Sequence, residues 1–149
     1  MARKFLGFSF TRAKEPKRRI APKALERFKE RVRELTGRSR GWSLAQIVER
    51  LAVHLTGWRG YFGLCETPTV LAELDSWIRR RLRCVAWKHW KTGKVRYAEL
   101  RRRGVGRDLA AKTAGSRQGP WHTGKSPALS FALPNAFFCS LGLPTLAPQ

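Results

Sequence analysis

The stretch of residues 76–91 concentrates side chains that could bind nucleic acid. It contains six Lys or Arg residues, three of the six Trp residues of the chain, and no acidic residue. Lys and Arg neutralise phosphates, and indole rings accept stacked bases. An ordinary solvated helix face instead mixes charges of both signs, because residues three or four apart then form ion pairs. The composition therefore favours a large anionic partner, with a solvated basic face and packed Trp residues as the alternative.

A helix over this stretch would have two different faces, because an α-helix has 3.6 residues per turn. We expect one face to be apolar and buried: Leu71, Leu74, Ile78, Leu82, Val85 and, as a core histidine, His89. The opposite face carries four candidate phosphate contacts, which are Arg79, Arg80, Arg83 and Lys91. The neighbouring Lys88 is a fifth candidate. The candidate stacking residues are Trp87 and Trp90. A second basic cluster, which a solvated turn would explain equally well, is Arg101, Arg102 and Arg103.

Three amphipathic helices are predicted to position these residues, at 22–36, 43–62 and 68–91. Proline suits the first turn of a helix, as at Pro22, and Ser43 is a good N-cap. Apolar residues at 4–12 and 18–21 indicate a short hairpin before the helices. We therefore expect a mainly α-helical fold, with a three-helix bundle, a short N-terminal β-hairpin and a basic, partly irregular C-terminal extension that docks by its aromatic residues.

Composition narrows the class of protein. The 31 basic and 10 acidic residues give a formal net charge of +21, which indicates nucleic acid first and an anionic membrane surface second. The three cysteines are far apart and form no CxxC pair, so neither a disulfide framework nor a zinc site is expected. No apolar run reaches the length of a membrane span. We expect a cytoplasmic protein with no membrane partner.

Residues for catalysis are sparse in this chain. A nucleotidyl transferase needs clustered carboxylates for two metal ions, and the only aspartates are Asp75 and Asp108. The three histidines, His54, His89 and His122, are isolated from one another in the sequence. No phosphate-binding glycine loop and no nucleophile–histidine pattern is present. The sequence therefore predicts no catalytic residue, no metal and no cofactor, and a chain that is not an enzyme by itself.

Five segments in order resemble the C-terminal part of bacterial group II intron reverse transcriptase/maturases. They are FLGF (5–8), IAPKALERFKERVRELT (20–36), GWRGYF (57–62), ELDSWIRRRLRCVAWKHWK (73–91) and the ending GPW…SPAL…ALPNAFFCSLGLPTL. Each piece is weak alone, but their order and spacing are specific. The match covers nearly the whole chain.

The resemblance implies a fold and a partner. In that family FLGF lies at the end of the polymerase palm, and the following helices form the thumb, also called the maturase-specific or X domain. That domain grips intron RNA and supports splicing. The implied segments are an end-of-palm remnant (1–21), a helical thumb (22–103) and a basic extension (104–149). Group II intron RNA is the implied partner, and target DNA is a second one, with weaker contacts from Lys112 and Arg117.

The resemblance also implies what this chain lacks. This sequence has no counterpart of the family's fingers, of the palm with its paired-aspartate YADD motif, or of the HNH endonuclease that some members carry. The polymerase activity of the family is therefore not expected for this chain. The chain resembles a truncated or split maturase. One alternative is a polymerase fragment that works only with a separate palm subunit, docked through residues 5–10, and co-purification would favour it. The other is an inert remnant of a mobile element, with weak, sequence-indifferent binding and a shallow salt dependence.

Overall fold

A computed structural model describes residues 4–5, 7–11, 18–37, 41–62 and 68–147 of the chain. Over these residues the protein is mainly α-helical, as predicted, with eight helices and three short strands. The strands are β1 (Lys4–Phe5), β2 (Phe8–Phe10) and β3 (Arg18–Ile20). The helices are α1 (Pro22–Leu35), α2 (Leu44–Phe62), α3 (Pro68–His89), α4 (Gly93–Arg102), α5 (Arg107–Ala114), α6 (Pro120–Thr123), α7 (Pro127–Ala132) and α8 (Asn135–Ser140).

The three strands form a small antiparallel sheet in the order β1-β2-β3. Phe8 pairs with Ile20 in the register of β2 and β3. The amide of Ala21 donates to the carbonyl of Gly7 over 2.8 Å, which ties the sheet to the residue before α1. The buried side chain of Ile20 also joins the hydrophobic core, so β3 is packed against the helices.

The three long helices begin and end within one or two residues of their predicted bounds. Local signals explain this agreement. Pro22 occupies the first position of α1. Before α2, the side chain of Ser43 accepts from the amide of Gln46 over 3.2 Å, while the amide of Ser43 donates to the Gln46 side chain over 2.9 Å. This reciprocal capping box satisfies two amides that the helix would otherwise leave unpaired.

Helix α3 runs through the middle of the hydrophobic core. Its predicted apolar face is confirmed for five of six residues, which are Leu71, Leu74, Ile78, Leu82 and Val85. They pack in one cluster with residues of α1 and α2 such as Val32 and Leu51. The prediction for His89 is wrong, because this last residue of α3 is exposed.

The C-terminal part of the chain, from α4 to residue 147, adds to the same core. Leu100, Leu129 and Phe138 are fully buried in it. Of the aromatic residues predicted to dock this part, Phe138 is buried, whereas Trp121 stays 42% exposed and Phe131 61% exposed. The three predicted segments therefore share one core where they are described, and their division at residues 21 and 103 stays a prediction.

Polar groups of α3 bind the backbone of this C-terminal part. The buried carboxylate of Asp75 accepts from the amide of Leu146 at 2.9 and 3.1 Å and from that of Ala147 at 3.0 Å. The segment at 146–147 belongs to no helix, so its amides need a side-chain partner. Asp75 thus fixes the end of the described chain onto α3.

Candidate nucleic-acid interface

The predicted basic face of α3 is largely covered in its middle. Arg83 is only 9% exposed, and its Nε donates to the carbonyl of Leu133 over 3.0 Å. Its Nη2 lies 3.4 Å from Oδ1 of Asn135. Burial, followed by the charge of Arg79, lowers the pKa of Arg83. Its burial and these bonds to the C-terminal part argue against a phosphate contact by Arg83, and that contact stays a prediction.

The two predicted stacking residues lie in different environments. Trp87 is 2% exposed, so the prediction that it stacks on RNA is wrong. Its ring packs against Trp90 at 6.2 Å and against the guanidinium of Arg96 at 4.6 Å. Trp90 is half-buried, with Arg103 5.0 Å from its ring centroid. A stacking role for Trp90 stays a prediction.

The remaining arginines at the start of this face are half-buried. Nη2 of Arg79 lies 3.4 Å from Oγ of Ser76. Nε of Arg80 donates to the carbonyl of Trp121 over 2.9 Å, and its guanidinium carbon lies 3.7 Å from the centroid of that indole. A guanidinium has five N–H donors, so Arg80 keeps donors beyond this one bond. Phosphate contacts by Arg79 and Arg80 stay predictions.

The second predicted cluster contains an internal counter-charge. Glu99 pairs with Arg102 over 2.7 Å and also with Arg103. The hydrogen bond from Arg102 is the main cause that lowers the pKa of Glu99. Nη1 of Arg101 donates to the carbonyl of Val105 over 2.9 Å. The spacing of three and four residues from Glu99 was readable in the sequence, and it favours the solvated-turn alternative for this cluster.

Basic residues also gather at the end of α3, where Lys91 is exposed and Lys88 and Arg96 are half-buried. A cleft of about 960 Å³ opens between the start of α2 and the end of α3. We call it the basic cleft, after the charged and aromatic residues among those that line it: Trp42, Lys88, His89, Lys91 and Arg96. No carboxylate is among its described lining residues. Its volume is typical of ligand-binding sites.

A smaller groove of about 320 Å³ continues from the basic cleft. Both cavities are lined by Thr36, Lys88 and Pro120. The smaller groove is also lined by Arg81 and Trp121, which do not line the basic cleft. We call it the side groove. Nε of Arg81 donates to Oγ1 of Thr36 over 2.9 Å, which fixes its position. Burial is the main cause that lowers the pKa of Arg81, and the nearby charge of Arg33 adds to it.

Three cations converge on one indole beside the side groove. Lys29, Arg33 and Arg81 lie 5.8, 5.6 and 5.4 Å from the ring centroid of Trp77. Glu26 pairs with Arg33 over 3.0 Å, so one acid partly offsets the three positive charges. The cluster extends the positive surface from α3 onto α1.

A family model described as the maturase-specific domain of group II introns matches residues 25–104, just over half of the chain. The chain belongs to this family. No curated protein matches the sequence. The matched maturase-specific domain contains most of α1 and all of α2 to α4. It includes Lys88, Lys91 and Arg96 of the basic cleft, whereas Trp121 lies beyond it.

The sequence did not single out several residues of the candidate interface in this maturase-specific domain. Trp42, Arg81 and Arg96 come from separate helices or their ends, and Lys29 and Arg33 lie on α1. On α1 they alternate with acids, which is typical of a solvated face. Their gathering around α3 depends on how the helices pack, for which a single sequence offers no local signal.

Within the described part of the maturase-specific protein, no three His, Cys, Asp or Glu residues lie close enough to hold a metal ion. Likewise, none of the helices there combines the length and the apolar character that crossing a membrane requires.

Proposed function

We propose that this maturase-specific domain binds group II intron RNA and supports its splicing. The observation that carries the proposal is the basic cleft, where Lys88, Lys91 and Arg96 converge without a described carboxylate. The formal net charge of +21 and membership of the maturase family support the same partner.

Acidic residues offset part of the positive charge on α1 and α4, away from the basic cleft. On α1 and α4, Glu26, Glu34 and Glu99 pair with neighbouring arginines. Lys91 lies exposed beside Lys88 at the end of α3. A phosphate that replaces the counterions of an exposed lysine such as Lys91 gains affinity in proportion to the number of ions released. Lys88 and Lys91 therefore remain our proposed phosphate contacts, with Arg81 and Arg96 added to them.

We propose a binding role and not a polymerase role for the chain as it stands. Of its two aspartates, Asp75 already accepts three hydrogen bonds from backbone amides. Contacts to target DNA or to a separate palm subunit are further proposals, and they would add to RNA binding. Co-purification of each partner with the chain tests them.

A salt-dependent binding titration tests the proposal. The purified chain is titrated with group II intron RNA and with an unrelated folded RNA of equal length. We expect tighter binding of the intron RNA that persists at physiological salt. The plot of log affinity against log salt should flatten by about 0.7–0.9 for each phosphate contact that is lost, so the double variant Lys88→Gln/Lys91→Gln should flatten it by roughly 1.5.

The chain offers a matched control for this test. Lys23→Gln removes the same charge as Lys91→Gln from another exposed lysine, on α1 and away from the basic cleft. We expect it to leave the slope near that of the unmodified chain. Equal slopes for Lys91→Gln, Lys23→Gln and the double variant would remove the basic cleft from the interface, and equal binding of both RNAs would reject intron recognition.

A further inference from the structure

The side groove has an indole at its edge that is held rigidly yet remains open. Trp121 is 42% exposed, although its backbone is fixed to α3 at two points. Nε of Arg80 donates to the Trp121 carbonyl over 2.9 Å, and Sγ of Cys84 donates to the carbonyl of Pro120 over 3.0 Å. Because side chains of α3 hold both carbonyls, the ring is positioned without being enclosed.

Arg80 also shapes the indole as a stacking surface. Its guanidinium carbon lies 3.7 Å from the Trp121 ring centroid, which is contact distance, so it covers one face of the ring. A surface arginine would normally sample many rotamers, and the bond to the Trp121 carbonyl restricts it. The cation and the ring are thus arranged together before any ligand arrives, which reduces the entropy that a ligand must offset.

The cations that would hold a phosphate lie in the same groove. The side groove is lined by Trp121, Arg81 and Lys88. Lys88 also lines the basic cleft. The volume of the side groove, about 320 Å³, is at the lower end of the range for small-ligand sites. A planar group on the indole would therefore have cations within the same groove for the anionic group attached to it.

We propose that Trp121 and Arg80 form a stacking platform for an unpaired base of the bound RNA, whose phosphates lie in the side groove and the basic cleft. Bases within a duplex are stacked on one another, whereas those in loops, bulges and ends can stack on aromatic rings. The platform therefore selects a single-stranded element of the RNA. This inference rests on the proposed function, since it assigns a ligand to the continuation of the same site.

The test compares a short unstructured RNA with an RNA duplex that has the same number of phosphates. Trp121→Ala should weaken binding of the unstructured RNA by roughly ten-fold or more, because a stacked base is lost. The salt slope should stay unchanged, since no phosphate contact is lost. Trp121→Phe should restore much of the affinity, and duplex binding should change little. A fluorescent base analogue in the unstructured RNA should be quenched by the unmodified chain and not by Trp121→Ala.

A matched control comes from the same C-terminal part. Phe131 is 61% exposed on α7 and lines neither the basic cleft nor the side groove, so Phe131→Ala should bind both RNAs normally. Thermal melting of each variant checks that the fold is intact. Unchanged binding of the unstructured RNA by a folded Trp121→Ala variant would overturn the platform, as would an equal loss for both RNAs. A failure of the proposed function would give a different result from a failure of the platform. The Lys88→Gln/Lys91→Gln variant would then keep the salt slope of the unmodified chain, regardless of the effect of Trp121→Ala.

Discussion

The middle of α3 and its C-terminal end use the same residue types in opposite ways. In the middle, Arg83 is buried and donates to the carbonyl of Leu133, and nearer the end Trp87 is buried against Arg96 of α4. At the end, Lys88 lines the basic cleft and Lys91 is exposed beside it. Cations and indoles along one helix are therefore not equivalent, because what packs against each of them decides whether it is buried or stays accessible.

The choice of side chain follows the environment. Leu133 ends α7 and Trp121 lies in α6, and their carbonyls accept from Arg83 and Arg80. Carbonyls near the ends of short helices lack partners within the helix, and the planar guanidinium supplies several donors in fixed directions. An ammonium group is more strongly hydrated and tends to stay in water. Arginines are therefore suited to the covered part of α3, and lysines to the cleft.

The largest effect that separates the two regions is expected for Trp87→Ala. Truncating a fully buried indole leaves a cavity, which typically costs about 3–5 kcal/mol of unfolding free energy. Urea or thermal unfolding followed by circular dichroism measures it. We expect little change for Trp121→Ala, because that ring is partly exposed and its backbone bonds to α3 remain. Equal destabilisation by both variants would contradict the distinction between Trp87 as a structural indole and Trp121 as the proposed stacking indole.

The helices themselves were predictable because their signals are local. The bounds of α1, α2 and α3 follow from Pro22, from the Ser43–Gln46 capping box and from apolar residues at helical spacing. Five of the six residues of the predicted apolar face of α3 are buried for the same reason. The prediction that His89 is buried was wrong because His89 is the last residue of α3, where the neighbouring helices no longer cover the apolar face.

The candidate site was only partly predictable. Lys88 and Lys91 were singled out from their charge, but so was Arg83, which is buried. The difference arises because Leu133, fifty residues further along the chain, packs against Arg83. Trp121 was expected to dock the C-terminal part and instead remains exposed next to Arg80. Such long-range pairings depend on packing, which helical periodicity in one sequence does not encode.

A second prediction sharpens the contrast within the arginines. Arg83→Met keeps the apolar stem but removes the donors, so the buried carbonyl of Leu133 loses its partner. We expect a loss of about 3 kcal/mol in unfolding free energy and faster proteolysis after residue 133, with an unchanged salt slope in RNA binding. Arg79→Met is the matched control for stability, because the one hydrogen bond of Arg79 within the described residues is a long contact to Ser76. A flattened slope in folded Arg83→Met would return this arginine to the interface.

A third, smaller effect concerns the contact between α3 and the end of α6. A Cβ atom on Gly124 would lie 2.8 Å from Sγ of Cys84 and 3.0 Å from the backbone carbonyl of Arg80. Gly124→Ala must therefore push α6 away from α3, at a cost of about 1–2 kcal/mol. It should also loosen the Trp121 platform and weaken binding of unstructured RNA. Gly119→Ala, which meets nothing within 4 Å, is the control, and equal melting temperatures for the two variants would contradict the close contact.

The smallest predicted effect lies away from both regions of α3. It concerns how the free energy of unfolding depends on pH through His54 in the core. His54 stacks on Phe28 with ring centroids 5.4 Å apart, and its buried Nε2 has no hydrogen-bond partner in the described structure. Burial, followed by the charge of Arg31, lowers the pKa of His54 below its ordinary value of 6.5. The unfolded chain therefore binds a proton more readily than the folded one, so stability rises with pH through this range.

This contribution of His54 is fully present above pH 6.5 and is lost as the pH falls from there through the lowered pKa of the folded state. Chemical unfolding at a series of pH values between 5 and 7.5 should show a shallower pH slope for His54→Gln than for the unmodified chain. Arg31→Gln should reduce the slope by less, because the charge of Arg31 is only the second cause of the shift. Parallel curves for all three proteins would show that His54 does not cause the pH dependence of stability.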